Sequence, residues 1–239
     1  MCTLQYAPVL LILLTLPASV VAENTDMKRI TRHLYLDKYP VKPEAEKLIV
    51  GTIHPHDKSQ FQLPFFYGNR LSLWKILQQA FPDDFGPELT VNSILSFLQK
   101  HRIAMSDTIR ECIRTNDSAL DKDLIPTRLN WELIDQIRQS NIREIFFTSG
   151  FQKNNAFKLF YVDILGMKIT KEIRKNREVM LSPHIFGRPV KLTILYSPSG
   201  AANRAWAQTQ IWKDNQHKYV DSPTPLQDFK VDYYREKFS

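Results

Sequence analysis

Apolar residues in this chain fall into short runs of two kinds. Four are compact: Lys47–Gly51, apolar on both faces, Glu144–Thr148 and Lys191–Tyr196, with Arg102–Ser106 as a short candidate ending at Asp107. Such runs predict buried strands of a mainly parallel sheet. Between them apolar positions recur at helical spacing. Leu73, Trp74, Ile76, Leu77 and Phe81 predict a helix over 72–81, with Ser72 at its start. Val91, Ile94, Leu95 and Leu98 predict a second over 90–101, capped by Thr90. Trp131, Leu133, Ile134 and Ile137 predict a third over 130–140 with all four turned inward. Residues 108–124 read as polar and irregular, 151–165 as helical at its start, 170–176 as charged and exposed, and 182–190 as a Pro/Gly loop. Strands alternating with helices give an α/β fold: a single domain with a central, mainly parallel sheet of about four strands, flanked by helices.

Two strand ends stand out. Lys47–Gly51 stops at Gly51 and empties into His54-Pro55-His56-Asp57, followed by Phe65-Phe66-Tyr67-Gly68 and the 72–81 helix. Lys191–Tyr196 empties into Ser197-Pro198-Ser199-Gly200-Ala201-Ala202-Asn203. Corners at the carboxyl ends of parallel strands are where open α/β sheets place ligands. The two corners are therefore read as halves of one site. Around them lie a leader over 1–26, a basic, proline-punctuated arm over 27–46, the domain proper over 47–204, and an extension over 205–239 that packs on the domain and opens with a helix carrying Trp206 and Trp212.

Composition narrows the classes. A hydrophobic fraction of 43% suits a globular chain rather than a disordered one. Residues 27–239 hold all 32 Lys and Arg against 23 of the 25 acids, a net charge of +9, which is compatible with a phosphate-backbone partner. Cys2 and Cys112 are the only cysteines, so a four-cysteine cluster and a disulfide framework are excluded within one chain. No GxxxxGK[ST], strand–GxGxxG–helix or GxSxG pattern occurs, so no nucleotide cofactor is expected. His54 and His56 lack a third ligand cluster, so no metal is expected either. The run Tyr6–Ala22 resembles the apolar core and cleavage site of an export signal, yet no Lys or Arg precedes it, and Met27-Lys28-Arg29 offers a second start. Two locations stay open: cytoplasmic with a start at Met27, or exported if Met1–Ala22 is a true signal.

Aromatic side chains on a loop beside a polar corner suit stacking on a flat ring such as a nucleobase. The hydroxyls and Gly of Ser197–Gly200 suit an anion such as phosphate. In these motifs the chain resembles the uracil-DNA glycosylase superfamily, in particular its hypoxanthine-DNA glycosylase-like and mismatch-specific uracil/thymine-DNA glycosylase branches. The resemblance spans 47–204. It rests on Gly51…Pro55, on Phe66-Tyr67-Gly68 with Leu73-Trp74, on Asp107, Cys112, Arg114 and Ser118-Ala119-Leu120-Asp121, on the strand ending in Ser149-Gly150, and on the Ser197–Asn203 corner. It departs from the pattern in several places: an extra residue separates Gly51 from Pro55, and Ser197 opens the last motif where some branches carry His or Asn. His54 precedes Pro55 where several branches carry Asp or Asn, Leu71 stands where the hypoxanthine branch keeps its Asn, and Ala201 is too small for the wedge some relatives carry.

The resemblance implies hydrolysis of the N-glycosidic bond of a flipped uracil or hypoxanthine in DNA, without metal or cofactor, by a monomeric protein. It implies His54, Asp57 and Asn69 as the catalytic polar groups. Gly51, Pro55, Phe66, Tyr67 and Ser197 would form the base pocket, and Ser199, Gly200, Asn203 and Arg204 the DNA contact. Two other readings remain: a nucleic-acid-binding module of the same fold without catalysis, and an exported hydrolase of unknown substrate.

Overall fold

The computed structural model describes residues 29–115 and 120–239. The expected leader over 1–26, and Ser118-Ala119 of the middle motif, lie outside them. The strands are β1 (Arg29–Arg32), β2 (Lys47–Gly51), β3 (Ile103–Asp107), β4 (Ile109–Arg114), β5 (Leu124–Leu129), β6 (Glu144–Phe147), β7 (Glu178–Leu181) and β8 (Val190–Ile194). Five form a sheet in the order β3-β2-β6-β8-β7. The four predicted strands, β3, β2, β6 and β8, run parallel side by side, and β7 adds an antiparallel edge on β8. The architecture is thus α/β with a mostly parallel sheet, of five strands rather than about four. The extra strand, Glu178-Val-Met-Leu, is an edge strand whose Met180 is 62% exposed, so it carries no compact apolar run to announce it.

Alternate residues of each central strand enter opposite halves of the core. Ile49, Met105 and Phe146 pack against Leu73, Trp74 and Leu77 of the Ser72–Ala80 helix and against Tyr234 and Phe238 of the C-terminal helix Pro225–Phe238. Leu48, Val50, Ile145, Phe147 and Leu192 face the other way, against Leu133, Ile137, Phe157 and Phe160. Thr90 caps Val91–Lys100 as its sequence predicts: its hydroxyl accepts from Ser93 N at 3.1 Å, and Ser93 Oγ accepts from Thr90 N at 2.9 Å. Trp131 departs from expectation. The helix begins at Glu132, and Trp131 precedes it, 51% exposed.

A second sheet, β1-β4-β5, is antiparallel and was not expected from the sequence. Residues 108–124 read as irregular because half of β4 is charged (Arg110, Glu111, Arg114) and β5 begins only at Leu124, with Pro126 opposite Cys112. Ile109, Cys112 and Leu124 nonetheless point inward as a small core of their own. The basic arm therefore does more than lead into β2. Its Arg29–Arg32 pairs with β4, residue 29 opposite 114 and residue 32 opposite 111. The extension over 205–239 ends in a helix that buries Phe229, Tyr233, Tyr234 and Phe238. No helix among the described residues is long and apolar enough to cross a membrane.

Candidate active site

The parallel strands end level with one another, Gly51 opposite Asp107 and Phe147 opposite Ile194. A cavity of about 460 Å³ opens over these ends. The two corners singled out in the sequence both line it, through Thr52–Pro55 on one side and Ser197–Ser199 on the other. The strand end of β6 supplies Thr148 and Ser149, and the loop before β5 supplies Asp121.

The aromatic wall is built by a tight loop. Gln62 and Leu63 both donate backbone N–H bonds to Gly68 O, at 2.8 and 3.1 Å, and Gly68 N donates to Phe65 O at 3.0 Å. A Cβ on Gly68 would lie 1.9 Å from Leu63 O, so only glycine fits. Within this loop Tyr67 adopts a left-handed backbone, φ 57°, which turns its side chain away from its neighbours. Phe65 and Phe66 consequently enter the core, while Tyr67 lines the cavity. Phe66, expected in the pocket, is 1% exposed and packs among Tyr35, Tyr39 and Phe65 instead.

Tyr67 Oη lies 2.6 Å from Thr148 Oγ1, deep in the cavity. Burial raises its pKa well above the ordinary tyrosine value, and the negative charge of Asp107 adds to the effect, so the phenol stays protonated. Gly51 makes this packing possible. A Cβ there would come within 2.2 Å of the Tyr67 hydroxyl and 2.4 Å of Asp107 Oδ1.

Asp107, at the end of β3, is 6% exposed. Its Oδ2 is 2.7 Å from His33 Nε2. His33 Nδ1 accepts backbone N–H bonds from Tyr35 at 3.0 Å and Leu36 at 3.2 Å. An accepting Nδ1 leaves the proton on Nε2, so neutral His33 donates to the carboxylate and fixes its orientation. Asp107 Oδ1 is left toward Gly51 and Tyr67. A second carboxylate, Asp121, accepts from Thr52 Oγ1 at 2.9 Å and Asn155 Nδ2 at 3.0 Å. Burial raises its pKa, and Asp107 pushes in the same direction.

The expected catalytic groups separate. Asn69 lines the cavity. His54 also lines it, but its ring is fully engaged: Nδ1 donates to Pro55 O at 2.7 Å and Nε2 accepts from Leu34 N at 3.0 Å. Burial lowers its pKa to about 4, so it is a neutral strut with no nitrogen left for a substrate. Asp57 is not among the cavity-lining residues. It is exposed and caps the Lys58–Gln60 turn, accepting from Ser59 N at 2.9 Å and Ser59 Oγ at 2.7 Å. Its sequence position beside His56 suggested the pocket, but the chain has already turned outward there.

Among the expected DNA-contacting residues, Ser199 lines the cavity and its hydroxyl accepts from Ala201 N at 3.3 Å. Gly200 and Arg204 are exposed, and a Cβ on Gly200 would meet open space. Asn203 is exposed, with Oδ1 accepting from Lys230 Nζ at 3.0 Å. Arg70, Lys122 and Lys153 add positive charge around the mouth. His33 and Asp107 were missed as site residues. Asp107 was visible only as an acid after a short strand; His33 carried no local signal. Among the described residues no group of three or more His, Cys, Asp or Glu is placed to hold a metal.

No family model matches the chain, and no curated protein matches it. Among solved structures the chain is similar to a solution NMR structure from Methanosarcina acetivorans described as "a putative Uracil DNA glycosylase". Identity is 16% over 87% of this chain and 98% of that one, with a TM-score of 0.43. That similarity is too low to carry activity or substrate from one chain to the other.

Proposed function

We infer that the protein is a DNA glycosylase-like hydrolase acting on a flipped, deaminated base, with Asp107 as its central catalytic group. The observation that carries this reading is the buried Asp107 carboxylate, oriented by neutral His33 and set beside the Tyr67 wall in a cavity at the sheet's carboxyl edge. A cationic mouth around an acidic floor suits a polyanion that delivers an uncharged ring inward.

In this reading the base lies against Tyr67, within reach of the Asn69 amide. As the C1′–N bond lengthens, the sugar gains positive charge next to Asp107, and the base departs with the bonding electrons. A water oxygen bonds to C1′. Asp107 receives the proton that water loses, and the departing base anion takes up a proton from solvent. Leu71 offers no polar group where the resembled branch has Asn, so the electrostatic work falls on Asp107 and Asn69.

The test is a base-release panel of uracil-, hypoxanthine- and mismatch-containing DNA. The full chain releases at least one of these bases. Asp107→Asn slows release about a hundredfold or more with DNA binding retained, whereas Asp57→Ala stays near the parent rate. Release of no base by a chain that binds DNA would instead favour the binding-module reading. A DNA substrate favours a cytoplasmic protein beginning at Met27, and the mass of the native N-terminus decides between that start and cleavage after Ala22.

A further inference from the structure

A second cavity, of about 470 Å³, adjoins the first and shares with it a wall that includes Thr148, Ser149, Asn155 and Ser197. Its far side carries Arg177, a residue outside every motif read in the sequence. Arg177 closes the Lys171–Asn176 helix in a left-handed conformation, φ 57°, that a side-chain-bearing residue seldom adopts. Its guanidinium is held rigidly. Nε donates to Ile194 O at 3.0 Å, one terminal nitrogen donates to Leu195 O at 2.8 Å, and Cζ lies 4.2 Å from the centre of the Tyr196 ring and 5.7 Å from that of Phe151. Among the described residues, the other terminal nitrogen has no hydrogen-bond partner and no carboxylate pairs with the group.

The same strand end rests on a second cation. Lys230, from the C-terminal helix, is 1% exposed. Its ammonium donates to Pro198 O at 3.1 Å, Ser199 O at 3.5 Å and Asn203 Oδ1 at 3.0 Å. All three are neutral oxygens, and again no carboxylate pairs with it among the described residues. Burial lowers its pKa, which reflects the cost of keeping the charge there. Two cations that lack acidic partners, one beneath Leu195–Asn203 and one beside it, make this corner electropositive. A buried charge of that kind is balanced when an anion arrives.

We propose that the adjoining cavity seats the neighbouring nucleotide of the same strand, its linking phosphodiester lying at Ser197 in the field of Arg177 and Lys230. The proposal rests on the glycosylase reading for the nucleotide in the first cavity. The shared wall places the two seats side by side, as consecutive nucleotides require. Arg177 supplies a donor to the phosphate, while Lys230 acts as a positioning residue that shapes the corner and sets its charge.

The test measures binding rather than turnover. The probe is a fluorescein-labelled single strand carrying one 2′-fluoro-2′-deoxyuridine, a sugar that resists loss of its base. In matched strands the phosphodiester on the 3′ or 5′ side of that nucleotide is replaced by a neutral methylphosphonate. For the full chain, neutralising one of the two linkages weakens binding about tenfold or more, the scale of one charge-assisted hydrogen bond. Arg177→Met binds the charged and neutral strands within about twofold of each other, and Lys230→Met narrows the gap. Arg177→Lys, which keeps the charge, retains part of the gap and serves if the Met variant does not fold. An equal penalty in parent and Arg177→Met, a parent indifferent to both linkages, or no binding of the strand at all overturns the proposal. Base release without linkage sensitivity removes this proposal alone; linkage sensitivity without base release removes the catalytic reading alone.

Discussion

His54 is 7% exposed and has both ring nitrogens committed to backbone groups, Leu34 N and Pro55 O. Its chemistry is set by that burial, which lowers its pKa to about 4 from an unfolded value near 6.5. Above pH 6.5 the ring is neutral in both states and its packing contributes fully. As pH falls the unfolded chain takes up a proton that the folded chain refuses until about pH 4, so stability is lost across that window. The loss attributable to this residue is at most on the order of 3 kcal/mol. Denaturant unfolding of the parent and of His54→Gln at pH 7.5 and pH 4.5 isolates it. The parent's stability falls more steeply than the variant's, and equal slopes would show that His54 is not held neutral. Gly51 works differently, by absence: the space its missing side chain leaves is occupied by the Tyr67 hydroxyl and the Asp107 carboxylate.

At the scale of elements, β1 matters because it carries His33 at its end. Its pairing with β4 extends through His33 N to Arg110 O at 2.9 Å, and this brings the His33 ring to Asp107. The five-stranded sheet and both halves of its core lie beyond this strand. A chain shortened to begin at Leu34 keeps Tyr35 and Leu36 in the core and is expected to unfold in one cooperative transition at a lowered temperature. On the glycosylase reading, its base release falls about a hundredfold, the scale of a misplaced catalytic group. Release at the parent rate would show that Asp107 needs no orientation from the arm. The C-terminal helix has a comparable role on the opposite side, where Tyr234 Oη donates to Tyr196 O at 2.7 Å and Lys230 holds the next loop. Both elements lie outside the motifs that carry the family resemblance, yet each one grips a strand end that forms the site.

For the whole molecule, the charge of residues 27–239 is +9, and Arg70, Lys122 and Lys153 stand at the cavity mouth. On the proposed reading, binding to DNA weakens linearly in log Kobs against log salt, with a slope near −0.9 per phosphate neutralised on duplex. Triple replacement of those three residues by Gln reduces the slope by about two to three. An unchanged slope would place the DNA on another face.

The sequence by itself determined the parallel strands and the glycine that ends β2, because burial on both faces and the steric freedom of Gly51 are local properties of the chain; the pairing of two distant corners followed from the general placement of sites at the carboxyl ends of parallel strands. It also marked Tyr67 and Asn69, which belong to the aromatic loop or stand just after it. Only the tertiary structure decided which polar groups face the cavity. His33 meets Asp107 across 74 residues, and Lys230 meets Pro198 across 32. Such pairs depend on strand register and helix packing, which no local spacing records. The same long-range packing took Asp57 out to solvent and Phe66 into the core: a loop's composition says that it is polar or aromatic, while the direction each side chain takes is fixed by what the rest of the fold packs against it.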